Sequence, residues 1–145
     1  MNIVRSHILV CSGTGCTSSN SAGIIEAFDR ELKRQGMDQE AQVVTTGCFG
    51  LCAMGPIVII YPEGACYTRV TPADVPEIVS EHVVKGRIVE RLLHMEGDEG
   101  EQATSLSDTT FYKHQLRIAL RNCGVINPED IDEYIGVNCS SAVFM

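Results

Sequence analysis

The sequence predicts an α/β domain in which a small mixed sheet is flanked by helices. Over the first 93 residues the predicted elements follow the order β-α-β and then β-β-α, which is typical of a sheet with one helix packed against it from each half. A β-branched run at residues 57–60 predicts a strand covered on both faces. Two pairs of cysteines also fall in glycine-rich loops at predicted strand ends.

The first half of this domain contributes two strands and a helix. Residues 7–10 predict a short buried strand, and residues 41–46 predict a second one. Between them, the polar residues 17–21 offer a helix cap and Gly36 offers a C-terminal stop. The predicted buried face of this helix consists of Ile24, Ile25, Phe28 and Leu32.

The second half contributes a hairpin and another helix. A strand at 57–61, a turn at 62–64 and a return strand at 65–70 predict an antiparallel pair. Residues 71–74, Thr-Pro-Ala-Asp, predict a helix start, because threonine suits the N-cap, proline the first helical position and an acid the first turn. Gly86 ends this helix, whose predicted buried face is Val75, Ile78, Val79 and Val83.

The remaining residues predict two further segments. We assign residues 1–94 to the α/β domain and residues 95–110, which are acidic and contain two glycines, to a flexible linker. Residues 111–145 then form a helical extension. It begins with a helix over about 111–122, and Asn127-Pro128-Glu129-Asp130 opens a second, short helix.

Charge and hydropathy exclude several classes of function. The chain has 19 acidic and 11 basic residues, a net charge of -8 and a pI near 4.9, so nucleic acid or an anionic membrane is not expected as the main partner. No stretch reaches the roughly 18–20 apolar residues of a membrane span, and no signal peptide is apparent. We therefore expect a cytoplasmic protein, in which seven cysteines indicate metal or redox chemistry rather than structural disulfides.

Four of the cysteines form two closely spaced pairs. Cys11 and Cys16 are separated by four residues and Cys48 and Cys52 by three, and each pair encloses at least one glycine. Glycine lets backbone approach inorganic sulfide closely, so that N–H groups can donate to sulfur. The pattern favours a shared [2Fe–2S] cluster with four thiolate ligands.

Three other interpretations stay open on spacing alone. Structural zinc tolerates a three-residue gap, although a four-residue gap is at the edge of its range. A thiol–disulfide site would need a two-residue gap, which is absent here. The four cysteines could also be small buried hydrophobes.

Other candidate residues carry weaker signals. The remaining cysteines, Cys66, Cys123 and Cys139, have no second cysteine nearby and are interpreted as inert thiols. Residues 13–18 half-match a dinucleotide-binding fingerprint, but a serine stands at the third glycine position. None of the histidines His7, His82, His94 and His114 has a partner at metal-ligand spacing.

The cysteine motifs resemble those of the thioredoxin-like [2Fe–2S] ferredoxins. The resemblance rests on Cys11-x4-Cys16 and on residues 45–56, Thr-Thr-Gly-Cys-Phe-Gly-Leu-Cys-Ala-Met-Gly-Pro, and extends over about residues 6–93. It implies a thioredoxin-like fold, a one-electron carrier and frequent homodimers. It also implies that each cysteine pair binds one iron, with Cys11, Cys16, Cys48 and Cys52 as the ligands of the cluster.

Residues 111–124 and 127–135 resemble the start of the flavin domain in a second group. These are the flavin- and NAD(P)H-binding subunits of NADH dehydrogenases and of NAD(P)-linked or electron-bifurcating iron hydrogenases. The glycine-rich flavin loop expected after residue 136 is not in the sequence, so FMN and NAD(P) sites are expected to be absent from this chain. The implied partners are flavin or iron–sulfur subunits, with the chain an electron carrier rather than a catalyst by itself. The alternative is an assembly module whose 111–135 helices dock to a partner.

Overall fold

The computed structural model describes residues 4–96, 101–103, 105, 109–123 and 125–142. The strands are β1 (Ser6–Cys11), β2 (Ala41–Thr46), β3 (Val58–Tyr61), β4 (Ala65–Tyr67), β5 (His94–Glu96) and β6 (Glu101–Ala103). The helices are α1 (Thr14–Ser18), α2 (Ser21–Gln35), α3 (Val75–Glu77), α4 (Thr110–Lys113) and α5 (Ile131–Ala142). A π-helix spans Ile78–Val84, and 3₁₀ helices span Cys52–Met54 and Glu90–Leu92.

The central sheet has four strands in the order β2-β1-β3-β4. β1 and β2 run parallel, with Cys11 opposite Thr46, whereas β3 runs antiparallel to both β1 and β4. The predicted mixed sheet and hairpin are therefore confirmed. Because β3 is reversed, the ends of β1 and β2 and the start of β3 meet at one edge of the sheet, which we call the site edge.

Both faces of the central strands are buried, as the β-branched run predicts. Side chains alternate along a strand, so Ile8 and Val10 pack with the helices on one face. Leu9 and Cys11 pack on the other face, against Phe49 and other residues of the cysteine loops. The helices thus cover one face of the sheet and the cysteine loops cover the opposite face.

The long helix α2 ends as predicted but begins differently. Gly36 has a φ of +69°, and the Met37 N–H donates to the Leu32 carbonyl at 2.9 Å, which closes the last turn. Asn20 occupies the N-cap position, but its side chain makes no capping hydrogen bond. The predicted polar side-chain cap is therefore wrong.

The second helix begins later than the sequence predicts. α3 starts at Val75, not next to Thr71, and continues as the π-helix. The Asp74 carboxylate accepts hydrogen bonds from the Thr71 N–H at 2.9 Å and from its hydroxyl at 2.6 Å. These two hydrogen bonds hold residues 71–74 in a turn before the helix, so Thr71 is not the N-cap of α3. Gly86, with a φ of +71°, follows the π-helix as predicted.

Part of the segment predicted as a linker forms regular structure. β5 and β6 pair antiparallel, and Ser105 forms a bridge with Ala65 at the edge of the hairpin. Residues 97–100, 104 and 106–108 of that segment lie outside the described residues. The division of the chain at 94 and 110 stays a prediction.

The helix predicted over 111–122 is wrong for most of its length. α4 ends at Lys113, and turns occupy much of the chain from His114 to Cys123. The Arg117 guanidinium donates to the carbonyls of Leu120 and Cys123, the latter at 2.7 Å, so a side chain satisfies carbonyls that a helix would pair internally.

The second predicted helix of the extension exists and is longer than expected. α5 begins at Ile131 and runs to Ala142, although no strong period marks the sequence beyond Gly136. Neither α5 nor any other helix of the described segments is long and apolar enough to cross a membrane.

Candidate metal centre

The first cysteine pair is held by β1 and by a short helix that the sequence analysis missed. Cys11 is the last residue of β1, and its N–H donates to the Ile57 carbonyl at 3.0 Å. Cys16 lies in α1, whose Thr17 N–H donates to the Gly13 carbonyl at 2.9 Å. Both cysteines are buried, and burial raises the pKa of the Cys11 thiol to about 11.

The second pair lies in the loop that joins β2 to β3. Cys48 follows β2, and Cys52 begins the 3₁₀ helix Cys52–Met54. Both side chains are exposed, and their Sγ atoms are 3.3 Å apart. The Gly50 N–H donates to the Cys48 Sγ at 3.3 Å, which lowers the pKa of the Cys48 thiol. Gly50 reaches that position with a φ of +87°, a conformation that favours glycine.

The two loops interlock through glycines. Three glycines face a cysteine of the other loop, and at two of them, Gly13 and Gly55, a side chain would not fit without a shift. A Cβ at Gly13 would lie 2.9 Å from the Cys48 Cβ, one at Gly15 would lie 3.8 Å from the Cys52 Sγ, and one at Gly55 would lie 2.7 Å from the Cys16 Sγ. The structure therefore brings the four predicted cysteines together at the site edge, and it does so because the glycines leave room.

The donor set fits a binuclear cluster. Within the described segments, no group of three or more His, Cys, Asp or Glu side chains could hold a metal ion. A [2Fe–2S] cluster needs only two thiolates at each iron, and the thiols here come as two pairs. The pKa of the Cys52 thiol is raised, chiefly by its neighbour Cys48. The chief cause is the hydrogen bond between the two thiols, and the charge of Cys48 adds to it. Positively charged iron bound to this pair would offset both effects.

Two residues of the extension contact this loop, and the sequence analysis did not find them. The Tyr112 hydroxyl donates to the Phe49 carbonyl. The Cys123 Sγ lies 3.7 Å from the Cys48 carbonyl oxygen and 3.9 Å from the Thr46 Oγ1. No local pattern links residues that are more than sixty positions apart, so nothing in the sequence signalled these contacts.

Of the other cysteines and histidines, Cys66 packs in the same buried cluster as Cys11 and Cys16, whereas His82 and His7 have partners elsewhere. Cys66 is buried in β4, and burial raises its pKa to about 12, as expected of a packed thiol. Cys139 falls in α5, but its side chain is outside the described part of the structure. His82 is buried against Tyr67, and His7 lies 4.0 Å from a Glu133 oxygen.

A thioredoxin-like sheet with two interlocked cysteine loops at one edge defines a small iron–sulfur electron carrier. Comparison with known proteins gives the family. Residues 2–82 match the profile of the thioredoxin-like [2Fe-2S] ferredoxins, and the chain belongs to this family. The thioredoxin-like fold class, the [2Fe–2S] cofactor and the electron-carrier function follow from this membership.

Several relatives show how far the likeness extends. The 2Fe-2S ferredoxin of Clostridium pasteurianum is 44% identical over 96 residues, which are 61% of this chain and 94% of that one. The crystal structure of the thioredoxin-like ferredoxin from Aquifex aeolicus superposes with a TM-score of 0.58 at 31% identity, covering 64% of this chain and 99% of that chain. A subunit of the NADP-reducing hydrogenase of Solidesulfovibrio fructosivorans, HndA, is 33% identical over 79 residues, or 52% of this chain and 45% of that subunit.

Proposed function

We propose that the chain carries single electrons within a hydrogenase or NAD(P)H dehydrogenase complex, through one [2Fe–2S] cluster bound by Cys11, Cys16, Cys48 and Cys52. The observation that carries this proposal is the meeting of two glycine-flanked cysteine pairs at one sheet edge. When bound, the cluster supplies one-electron redox chemistry. The polypeptide sets the surroundings, the potential and the access to partners.

The two cysteine pairs differ in exposure to solvent, so a partner protein can approach the site from one side. Cys11 and Cys16 are buried on the sheet side, whereas Cys48 and Cys52 face solvent. Their exposed side is the short path for electrons between the site and another protein. The Gly50 N–H stabilises the negative charge of a Cys48 thiolate. At the exposed half of the site, the protein therefore adds to the stabilisation that solvent gives this charge.

The complex is supported by similarity and by the extension. A relative of this chain is a subunit of an NADP-reducing hydrogenase, and residues 111–135 resemble the start of a flavin domain. We therefore expect flavin or iron–sulfur subunits as electron donors and acceptors. We also expect a cytoplasmic location, since all six cysteines whose side chains are described are free thiols.

Replacing one proposed ligand tests this function. We expect Cys48→Ala to lose most of the visible absorption of the purified protein, because alanine has no donor atom that could replace the thiolate ligand. The matched control is Cys66→Ala, which changes a buried cysteine of β4 and should keep the absorption. Full colour in the Cys48→Ala protein would show that the ligand set is wrong.

The second candidate is an assembly module that retains the ferredoxin fold. The observation favouring it is the exposure of several large apolar side chains on the extension, Leu116, Ile118, Leu120, Val125, Ile131, Tyr134, Ile135 and Val137, a pattern typical of binding surfaces. The two candidates differ in the Cys48→Ala protein. An assembly module would still support activity of its complex without the cluster, whereas an electron carrier would not.

A further inference from the structure

A short segment beside the exposed cysteines carries large apolar side chains in solvent. Leu116 is 88% exposed and Ile118 is 76% exposed, and Leu120 is also exposed. These residues follow α4, in the stretch where the predicted helix does not form. Exposed apolar side chains that cluster in this way mark interaction surfaces more often than solvent-facing structure.

The charge of this segment is opposite to that of the whole chain. Residues 109–128 contain the basic residues Lys113, Arg117 and Arg121 and no acidic residue, although the chain has 19 acidic and 11 basic residues. The side chains of Lys113 and Arg121 are exposed. A positive strip on an acidic protein attracts a complementary acidic surface at short range.

The segment is held directly against the cysteine loop. The Tyr112 hydroxyl donates to the Phe49 carbonyl, and the Arg117 guanidinium lies 5.2 Å from the centre of the Tyr112 ring. A groove of about 430 Å³ runs between the segment and the loop, with Cys48 and Leu116 among its lining residues. A side chain that entered this groove would reach the exposed half of the candidate metal centre.

We propose that residues 113–121, the docking segment, receive a redox protein whose contact surface carries carboxylates around an apolar centre. The apolar side chains supply the core of such an interface and the basic ones its rim. Charge complementarity selects this occupant, and the groove places it next to Cys48. The inference rests on the proposed function, because docking at this position matters only if electrons pass through the cysteine site.

Electron transfer to an acidic probe protein tests the docking segment. The probe is a flavodoxin, which accepts one electron from the reduced protein as the latter is oxidised. The variants are Lys113→Glu and the double variant Leu116→Ser with Ile118→Ser, all at exposed positions. The control is Lys33→Glu, on α2 close to Val4 and Ala41, where β1 and β2 start, far from the site edge.

We expect both docking variants to slow the second-order rate by roughly fivefold or more at low salt. Lys113→Glu reverses a rim charge that sets the association rate, and the double serine variant removes the apolar core of the interface. The control should stay within about twofold. A small neutral quinone should oxidise all four proteins at similar rates, which shows that the redox site is intact. Wild-type flavodoxin rates in both docking variants would overturn the inference while leaving the proposed function in place.

Two further outcomes also decide the matter. Wild-type protein that contains no reducible cluster would remove the proposed function and the docking inference together. A wild-type dimer that dissociates in the Leu116→Ser, Ile118→Ser protein, measured by sedimentation, would show that a second copy covers the segment, and the redox-partner assignment would be wrong.

Discussion

At the scale of single residues, Gly13 lies against the backbone of the other cysteine loop. A Cβ at this position would lie 2.9 Å from the Cβ and 3.3 Å from the Cα of Cys48. The Cα belongs to the backbone and cannot turn aside as a side chain can. A Cβ at the neighbouring Gly15 would lie 3.5 Å from the Cβ and 3.8 Å from the Sγ of Cys52, which are ordinary contact distances. The loop should therefore accept a side chain at Gly15 but not at Gly13.

This contrast predicts opposite results for the two alanine substitutions. Gly13→Ala should separate the loops, destabilise the protein by about 1–3 kcal/mol through overpacking and reduce the iron content. Gly15→Ala places alanine in α1 and should leave stability unchanged or raise it by up to about 1 kcal/mol. Denaturant unfolding and iron analysis of both variants check this, and equal iron loss in both would refute the steric explanation.

A buried histidine gives the domain a second residue-scale property. His82 Nδ1 lies 2.6 Å from the Tyr67 hydroxyl, whose oxygen also accepts the Val89 N–H at 3.1 Å. The opposite ring nitrogen lies 3.6 Å from a Glu63 carboxylate oxygen. Burial lowers the pKa of His82 below its usual 6.5, although Glu63 opposes this effect. The folded protein therefore holds His82 in its neutral form.

The lowered pKa predicts a loss of stability in mild acid. Below about pH 6.5 the unfolded chain binds a proton at His82 that the folded chain resists, so the free energy of unfolding falls as the pH falls. Carboxyl groups whose pKa is lowered, such as those of Glu31 and Glu81, change the free energy of unfolding mainly below pH 4.5, their usual pKa, where the unfolded chain binds protons at them. In urea unfolding, the free energy of unfolding of the wild type should be lower at pH 5.5 than at pH 7.5, and the difference should be smaller in His82→Gln. Equal losses in both proteins would contradict this assignment.

At the scale of elements, the sheet was predictable because burial leaves a local pattern. β2 has the predicted bounds, and the run at 57–60 correctly predicted a strand covered on both faces. The helix predicted over 111–122 does not form for most of its length, because its apolar residues have no partner face to bury them in the described part of the structure. Helices gain most of their stability from burying an amphipathic face, and Leu116, Ile118 and Leu120 are mostly exposed here. A helical period alone therefore did not decide the structure.

The extension instead depends on particular contacts with the cysteine loop, chiefly the hydrogen bond from Tyr112 to Phe49. Tyr112→Phe removes this bond and should weaken the contact by about 1 kcal/mol. We expect faster amide hydrogen exchange in residues 112–123, with the exchange of the central strands unchanged. Unchanged exchange throughout would show that other contacts hold the extension in place.

At the scale of the whole molecule, sequence reasoning identified the cysteines and their loops but not what covers them. Spacing and glycine content were enough to predict Cys11, Cys16, Cys48 and Cys52 as candidate ligands, because those properties are local. The meeting of the pairs follows from the parallel β1–β2 pairing, which a connecting helix such as α2 makes possible. The position of Cys123 beside the Cys48 carbonyl depends on a long-range packing that no local signal records.

The central claim is that these four thiols bind one [2Fe–2S] cluster, and the metal and sulfide content of the purified protein tests it most directly. Protein prepared without oxygen should contain about two iron atoms and about two acid-labile sulfides per chain, with little zinc. Removal of iron by a chelator should release the sulfide as well. About one zinc per chain without sulfide would contradict the account, because it would make the four cysteines a structural metal site.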